Sequence, residues 1–215
     1  MGSTRLPGKV LADIAGRPLL AHVIGRLQAA RHPMPVVVAT SDHARDDEIA
    51  QYARMHGLAC FRGSERDVLS RYRECARAFE FEHVVRLTAD NPFTDVQELE
   101  RLVALHLSER FDFTDSLDVL PVGVGAEVFT REALESSWEK GLLPHHREHP
   151  DEYILEHRSA FRTGKLTVPA SKCRPEVRLT VDTPADLVRA REIASRAQGT
   201  WVTTEEAIAL CSLSV

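Results

Sequence analysis

Short apolar runs alternate with amphipathic stretches along most of the chain. The runs are rich in β-branched or apolar residues and end at turn-forming residues, as buried strands do. Four strands are predicted, at Val36–Thr40, Leu58–Phe61, His83–Thr88 and Val177–Val181. Between them, apolar residues recur with helical spacing in Leu19–Leu27 and Val96–Leu107. This alternation predicts an α/β fold, with a mostly parallel sheet that carries helices on both faces.

Two helix starts are visible near the C-terminus. Thr183 offers an N-cap oxygen, and Pro184 sets the backbone angle of the first helical turn. Thr203 and Glu206 have the spacing of a capping box. We expect a helix to begin directly after Thr183 and a second one directly after Thr203.

The region from about 111 to 165 breaks the alternation. Proline or glycine interrupts it at positions 121, 123, 125, 144 and 150, and a histidine-rich stretch lies inside it. Long irregular insertions in compact domains tend to carry function or subunit contacts. We therefore expect one domain over residues 1–215, in which 111–165 form a lobe over the active site or a dimerisation arm.

Composition excludes several classes of protein. Hydrophobic residues make up 43% of the chain and charged residues 27%, the balance of a globular domain with a real core. The net charge of −5 argues against a broad nucleic-acid or anionic-membrane surface, and the longest apolar runs are too short for a membrane span. Four irregularly spaced cysteines without a C-x-x-C pair indicate free thiols in a cytoplasmic protein.

The first eleven residues combine glycines, hydroxyls and two cations. Glycines such as Gly8 let backbone N–H groups approach an anion, Arg5 can bind two phosphate oxygens, and Lys9 provides a point charge. The mixture, which includes the Ser3 hydroxyl, suits a triphosphate. The alternative interpretation is a basic, disordered N-terminal tail.

Two aspartates follow predicted strands, where open α/β sheets place their ligands. Asp90 ends the segment Arg-Leu-Thr-Ala-Asp, and Asp182 ends the segment Arg-Leu-Thr-Val-Asp. Two carboxylates brought together by the fold would suffice for Mg²⁺, which takes its other ligands from water and phosphate. Taken alone, a strand-end aspartate is more often a turn or N-cap residue.

Three further motifs are candidates for ligand binding. Thr40 and Ser41 lie at the end of the first predicted strand, and Arg62-Gly63-Ser64 follows the second. Both sets can instead serve ordinary helix capping. The histidines at 145 and 149 have the i,i+4 spacing of a zinc pair, but prolines 144 and 150 bracket them and favour a solvated or interface role.

The N-terminal motif S-T-R-L-P-G-K-V-L, followed by D-I-A-G-R-P-L-L-A-H-V-I-G-R-L, resembles the nucleotide-binding signature of cytidylyltransferases. The spore-coat polysaccharide branch of that family is the most similar. The resemblance implies that Ser3, Arg5, Gly8 and Lys9 wrap the triphosphate of CTP, with Arg5 and Lys9 as the catalytic cations. R-L-T-A-D-N-P and R-L-T-V-D-T-P-A-D-L resemble the family's metal-binding strand ends, which implies that Asp90 and Asp182 bind Mg²⁺.

Three shorter segments resemble the family as well. By this resemblance Thr40, Ser41, Arg62, Gly63 and Ser64 lie near the nucleotide. The stretch from Gly123 to Phe129 resembles the one that lines the sugar side of the cleft, with Glu127 as the substrate-binding residue. Gly125 stands where most relatives have aspartate.

The implied fold is Rossmann-like, and the implied activity is transfer of CMP from CTP to a sugar, one of acidic type, in surface polysaccharide or glycan biosynthesis. A homodimer is also implied. Two alternatives remain open: another CTP- or UTP-dependent sugar nucleotidyltransferase, and an inactive relative that binds nucleotide.

Relatives carry an apolar strand directly before the phosphate loop, whereas this sequence begins inside the motif. We expect the sheet to have a gap where that first strand lies in relatives. Our hypothesis is a truncated start, which the genomic sequence upstream of Met1 would test.

Overall fold

The structure is a computed structural model, and it describes residues 1–212. Residues 1–212 contain eight short strands. They are β1 (Asp13–Ile14), β2 (Arg17–Pro18), β3 (Val37–Ser41), β4 (Ala59–Gly63), β5 (His83–Arg86), β6 (Phe113–Asp115), β7 (Glu127–Thr130) and β8 (Thr163–Lys165).

Nine α-helices lie between or after these strands in the described part of the chain. They are α1 (Leu19–Gln28), α2 (Asp47–Met55), α3 (Val68–Ala78), α4 (Val96–Glu109), α5 (Arg131–Lys140), α6 (Pro144–Glu148), α7 (Glu152–Glu156), α8 (Pro184–Ser195) and α9 (Thr204–Ser212). Short 3₁₀ turns occur at Lys9–Leu11, Ala44–Asp46 and Arg158–Ala160.

Most predicted elements are confirmed within a few residues. The strands predicted at 36–40, 58–61 and 83–88 correspond to β3, β4 and β5, and the two amphipathic stretches are α1 and α4. Both predicted helix starts are also confirmed. The Thr183 hydroxyl accepts the Asp186 N–H at 3.2 Å, and the Thr203 hydroxyl accepts the Glu206 N–H at 3.2 Å.

The predicted strand at Val177–Val181 is wrong. This segment makes a single bridge, between Val122 and Arg178, and no longer ladder. The Val122 N–H donates to the Val177 carbonyl, and the Val122 carbonyl accepts the N–H groups of Leu179 and Thr180. The apolar pattern reflects burial instead, because Leu179 and Val181 lie in the main core. The segment is therefore an extended, buried connection to α8.

The strands form three separate sheets with mixed pairing. β3 and β4 are parallel, as are β6 and β8, whereas β7 runs antiparallel to both β5 and β6. The four-stranded sheet, whose order is β5-β7-β6-β8, is mixed: β6 and β8 form its parallel pair, and its other two pairs are antiparallel. The loop from β6 to β7 contains no helix that would carry the chain across the sheet, so the two strands pair antiparallel.

A gap separates the β3–β4 pair from the four-stranded sheet. β3 pairs only with β4, and β5 pairs only with β7. Both strands line the same cavity of about 750 Å³, together with apolar side chains from α1, α2 and α3. The expected gap in the sheet is present, and it lies directly beside the N-terminal loop, because Met1 and Val10 also line this cavity.

The irregular region 111–165 lies within the four-stranded sheet. It supplies β6, β7 and β8 and the helices α5, α6 and α7. Phe113 and Phe129 of this region are fully buried and form a small core with Leu134 and Ile154. Its role as a dimerisation arm stays a prediction.

The main core lies where α1, α8 and α9 pack together. Val23 of α1, Leu187 of α8 and Ala207 of α9 belong to one buried cluster with Val181. No helix among residues 1–212 is long and apolar enough to cross a membrane. The thiols of Cys60, Cys75, Cys173 and Cys211 are free, as the spacing predicted.

Candidate active site

The N-terminal loop folds back on itself and places the Lys9 side chain in a largely buried position. The Ser3 hydroxyl accepts the Leu6 N–H at 3.2 Å, and the Gly8 N–H donates to the Met1 carbonyl at 3.4 Å. Gly8 has a φ of 73°, a left-handed conformation that favours glycine. These contacts and the conformation of Gly8 fix the path of the backbone into the 3₁₀ turn that begins at Lys9.

Lys9 joins the two predicted metal ligands. Its ammonium group lies 2.8 Å from Oδ2 of Asp90 and 2.8 Å from Oδ1 of Asp182. The same group donates to the carbonyl of Val181 at 2.9 Å. The structure thus brings together three residues that are far apart in the sequence, as the motifs predicted.

Two arginines add positive charge at Asp182. Arg5 Nη2 lies 3.3 Å from Oδ1 of Asp182, and Arg178 forms a salt bridge with Oδ2. Burial of the Asp182 carboxyl opposes its ionisation, but the hydrogen bond from Lys9 and the three cations outweigh it and lower its pKa. Asp182 is therefore ionised at neutral pH.

Neither aspartate is the N-cap of the helix that follows it, although Asp90 does lie in a turn after β5. The N-cap of α4 is Asp95, whose carboxylate accepts the Glu98 N–H at 3.0 Å. At α8 the cap is Thr183, and Asp186 accepts the backbone N–H of Asp182 at 3.1 Å. The carboxylates of Asp90 and Asp182 are left to bind cations.

The donor set fits a hard divalent cation. Asp90 and Asp182 share one bound ammonium group, which shows that their oxygens are close enough for a common cation. Carboxylate oxygens are the ligands that Mg²⁺ takes from proteins, with water and phosphate oxygens completing its shell. Asp90 and Asp182 are the residues that would hold the metal.

The hydroxyls of Thr40 and Ser41 are engaged within the protein. Both donate to Oδ2 of Asp46, and both side chains are buried. Asp46 also accepts the amino group of Met1 at 2.6 Å. Burial raises the pKa of Asp46, but these partners outweigh burial and lower it. The two hydroxyls thus position the N-terminal loop at the end of β3.

Arg62, Gly63 and Ser64 lie at the end of β4, beside the end of β3. Arg62 donates to the carbonyls of Ser41 and His43, and Gly63 pairs with Ser41 in the parallel ladder. Ser64 accepts the N–H of Asp67, and Asp67 in turn caps α3. The three residues are held near one another, and their contact with a nucleotide stays a prediction.

Glu127 begins β7 and is buried. It forms a salt bridge with Arg86, its cross-strand partner in the antiparallel ladder. Burial raises the pKa of Glu127 to about 7, although the charge of Arg86 acts in the opposite direction. Its second oxygen, Oε1, has no hydrogen-bond partner among the residues that the structure describes. Glu127 is therefore a buried, paired carboxyl, and its contact with a sugar stays a prediction.

Position 125 leaves no room for the aspartate that the resemblance would place there. A Cβ atom at this position would lie 2.8 Å from the carbonyl oxygen of Ser116. The close approach of these two segments explains why a glycine stands here.

The predicted histidine pair takes a different form. His145 and His146, rather than His145 and His149, bind the carboxylate of Glu156, at 2.7 and 2.8 Å. Leu143 donates its N–H to Nδ1 of His146, so Nε2 carries the proton that faces Glu156 in the neutral ring. The two histidines of α6 and the carboxylate of α7 are therefore close together because they hydrogen-bond the two helices to each other.

Sequence reasoning missed three residues that hold this site. Arg178 contacts Asp182, and Thr88 contacts Asp90. Asp46 accepts hydrogen bonds from the hydroxyls at the end of β3. The repeated pattern Arg-Leu-Thr-x-Asp was the available signal for Arg178 and Thr88. For Asp46 the sequence offers no signal beyond its helical position.

Comparison with known proteins extends this picture. The family model for cytidylyltransferases matches residues 1–210. The spore coat polysaccharide biosynthesis protein SpsF of Bacillus subtilis is 36% identical over 191 residues, which cover 86% of this chain and 79% of that protein. A 3-deoxy-manno-octulosonate cytidylyltransferase of Anaeromyxobacter dehalogenans is 42% identical over 105 residues, which cover 47% of this chain and 42% of that enzyme.

A solved structure agrees with the whole fold. The cytidylyltransferase of Leptospira borgpetersenii superposes with a TM-score of 0.87 at 30% identity, covering 99% of this chain and 89% of that one. The α/β fold of a nucleotidyltransferase is thereby shown. With a family match that extends from residue 1 to residue 210, this chain belongs to the cytidylyltransferase family.

Proposed function

We propose that the protein transfers CMP from CTP to a hydroxyl group of an acidic sugar, with Mg²⁺ as the cofactor. The observation that carries this proposal is the convergence of Lys9 with Asp90 and Asp182. The acceptor class is supported by the relative that acts on 3-deoxy-manno-octulosonate. The pathway, synthesis of surface polysaccharide, is supported by the similarity to SpsF.

In the proposed reaction, the sugar hydroxyl oxygen attacks the α-phosphorus of CTP. The bond from this phosphorus to the bridging oxygen breaks, pyrophosphate leaves, and the hydroxyl proton passes to solvent. Arg5 and Lys9 would stabilise the negative charge on the phosphates, and Asp90 and Asp182 would hold the metal. When bound, Mg²⁺ polarises the α-phosphoryl group. Positioning and electrostatics carry most of the catalysis in phosphoryl transfer, so a protein base is not essential.

The nucleotide is proposed to bind along the loop and the ends of β3 and β4. Gly8 would let the backbone of the loop approach the triphosphate closely, and Ser3 would lie beside it. Thr40 and Ser41, and the group of Arg62, Gly63 and Ser64, would contact base or ribose mainly through the backbone. Their side chains already have partners in the protein.

The sugar is proposed to bind toward Glu127, on the side of the sheet where β5 and β7 pair. The unpartnered Oε1 of this buried carboxyl is the polar atom that supports the assignment. We also propose that the protein acts in the cytoplasm as a homodimer, with region 111–165 as the contact between subunits.

Two measurements test the proposed function. Isothermal titration with CTP and with UTP, each with Mg²⁺, compares the two bases, and we expect CTP to bind more tightly. A pyrophosphate-release screen over acidic sugars then tests turnover. Turnover with UTP alone would support a different sugar nucleotidyltransferase. CTP binding without turnover on any acceptor would support an inactive relative.

A further inference from the structure

In the free protein, Lys9 occupies the position between the two carboxylates. An ammonium group has three N–H donors, and its contacts to Asp90, Asp182 and the Val181 carbonyl use all three. The Lys9 side chain is only 12% exposed. The ammonium is therefore held as a fully coordinated cation.

The other carboxylate oxygens also have partners. Oδ1 of Asp90 accepts the Thr88 hydroxyl at 2.6 Å, and Oδ2 of Asp182 is paired with Arg178. With Arg5 included, three positive side chains surround two carboxylates. A bare divalent cation would have three positive side chains as neighbours, although Arg178 also pairs with Asp186, and it would have to displace an existing partner from each carboxylate.

A triphosphate changes this balance. It brings several negative charges and many acceptor oxygens, to which Lys9 and Arg5 can move together. Lysine has a flexible four-carbon stem, so its ammonium can change partners without a large change in the backbone. Once the ammonium leaves, Oδ2 of Asp90 and Oδ1 of Asp182 are free to bind a metal ion.

From these contacts we infer that Lys9 makes the site selective for a metal–triphosphate pair over the metal alone. The ammonium closes the metal position in the free protein and opens it by moving to the phosphates. This inference rests on the proposed function for the identity of the ligand. Because coupling between two ligands is reciprocal, the metal must strengthen triphosphate binding by the same factor.

Mn²⁺ is the probe for the test, because its free concentration can be followed by electron paramagnetic resonance. The wild-type chain and Lys9→Met are titrated with Mn²⁺ alone, with Mn²⁺ plus CTP, and with Mn²⁺ plus inorganic tripolyphosphate. We expect Lys9→Met to bind Mn²⁺ alone about tenfold more tightly than wild type, and to lose most of the coupling to triphosphate.

Lys140→Met is the matched control. It removes the same charge from the exposed surface of α5, where the ammonium donates to Ser136, and it should bind Mn²⁺ like wild type. Arg178→Met is a second test variant, because it removes one of the three cations while leaving Lys9 in place. We expect it to bind Mn²⁺ alone more tightly than wild type as well.

The inference is overturned if Lys9→Met and Arg178→Met bind Mn²⁺ alone no more tightly than wild type. It is also overturned if tripolyphosphate does not strengthen Mn²⁺ binding to wild type. Failure of the proposed function looks different: no sugar supports pyrophosphate release from CTP, while the effects of Lys9→Met and tripolyphosphate on Mn²⁺ binding persist.

Discussion

Val181 donates its backbone N–H to the backbone carbonyl of Asp90 at 2.9 Å. This hydrogen bond joins the segment before α8 to the turn after β5, and it sets the distance between the two aspartates. Thr180 adds a contact from its hydroxyl to the same carbonyl at 3.4 Å. The site therefore depends on backbone pairing between two segments that are about ninety residues apart in the sequence.

The first prediction concerns Asp90→Asn. The amide keeps the shape of the side chain but loses the charge that a metal requires, so we expect turnover to fall by about 100-fold or more while the fold is retained. CTP-dependent pyrophosphate release measures the loss, and circular dichroism checks the fold. Asp13→Asn, on the exposed β1–β2 hairpin, is the control. Equal activity of Asp90→Asn and Asp13→Asn would contradict the assignment.

The sequence allowed the pairing of Asp90 and Asp182 to be predicted because both carry strong local signals. A strand pattern, a carboxylate and a turn occur in the same order at both places. The partners of Thr40 and Ser41 could not be predicted in this way. Whether a buried hydroxyl faces a ligand or a neighbouring carboxylate such as Asp46 depends on packing, which the local sequence does not specify.

The fold was predictable to a similar degree. Periodicity located α1, α4 and three strands, because burial on one face leaves a regular pattern, and capping residues located the starts of α8 and α9. It gave the wrong result for 177–181, since an extended buried segment has the same apolar pattern whether or not it has strand neighbours. A local pattern could not predict that β7 runs antiparallel to its neighbours either, because strand direction depends on the path of the preceding loop.

The second prediction concerns the pH dependence of stability at Glu127. Its pKa in the fold is about 7, above its ordinary value of 4.5. A raised pKa means that the folded protein binds this proton more tightly than the unfolded chain does. The stabilisation is complete below pH 4.5 and is lost as the pH rises to about 7.

Urea unfolding of wild type and Glu127→Gln across pH 4 to 8 measures this effect. We expect the difference in unfolding free energy to change by up to about 1.4 kcal/mol per pH unit between pH 4.5 and 7, and to be level outside that window. Glutamine at 127 does not titrate, so the change of this difference with pH reports the proton on Glu127. A difference that does not vary with pH would refute a raised pKa at Glu127.

The third prediction concerns the buried Arg26. Its guanidinium donates to the carbonyls of Pro92 and Val202 at 2.8 Å each, and to that of Thr94 at 3.4 Å. Arg26→Met would leave these carbonyls without their donors, so we expect a loss of about 3 kcal/mol in unfolding free energy. Urea denaturation measures it.

Arg31→Met serves as the control for this variant, because Arg31 lies on the exposed turn after α1. It should change the unfolding free energy by less than about 0.5 kcal/mol. If both variants have the same midpoint in urea, the buried hydrogen bonds of Arg26 do not stabilise the fold.

The fourth prediction compares two glycines with positive φ. Gly123 has a φ of 91°, and a Cβ atom there would lie 2.6 Å from the backbone nitrogen of Thr180. Gly57 has a φ of 66°, but a Cβ atom there would have nothing within 4 Å. Alanine at 57 therefore introduces only backbone strain of about 1–2 kcal/mol, whereas alanine at 123 must also displace the segment that leads to Asp182.

Gly123→Ala should consequently lose more stability in urea than Gly57→Ala does, and it alone should lose turnover. The reason is the hydrogen bond from Val181 to Asp90, which the displaced segment carries. Pyrophosphate release is measured at a temperature at which both variants are fully folded, so that unfolding does not contribute. If Gly123→Ala retains full turnover there, the close packing of Gly123 on Thr180 does not control the position of Asp182.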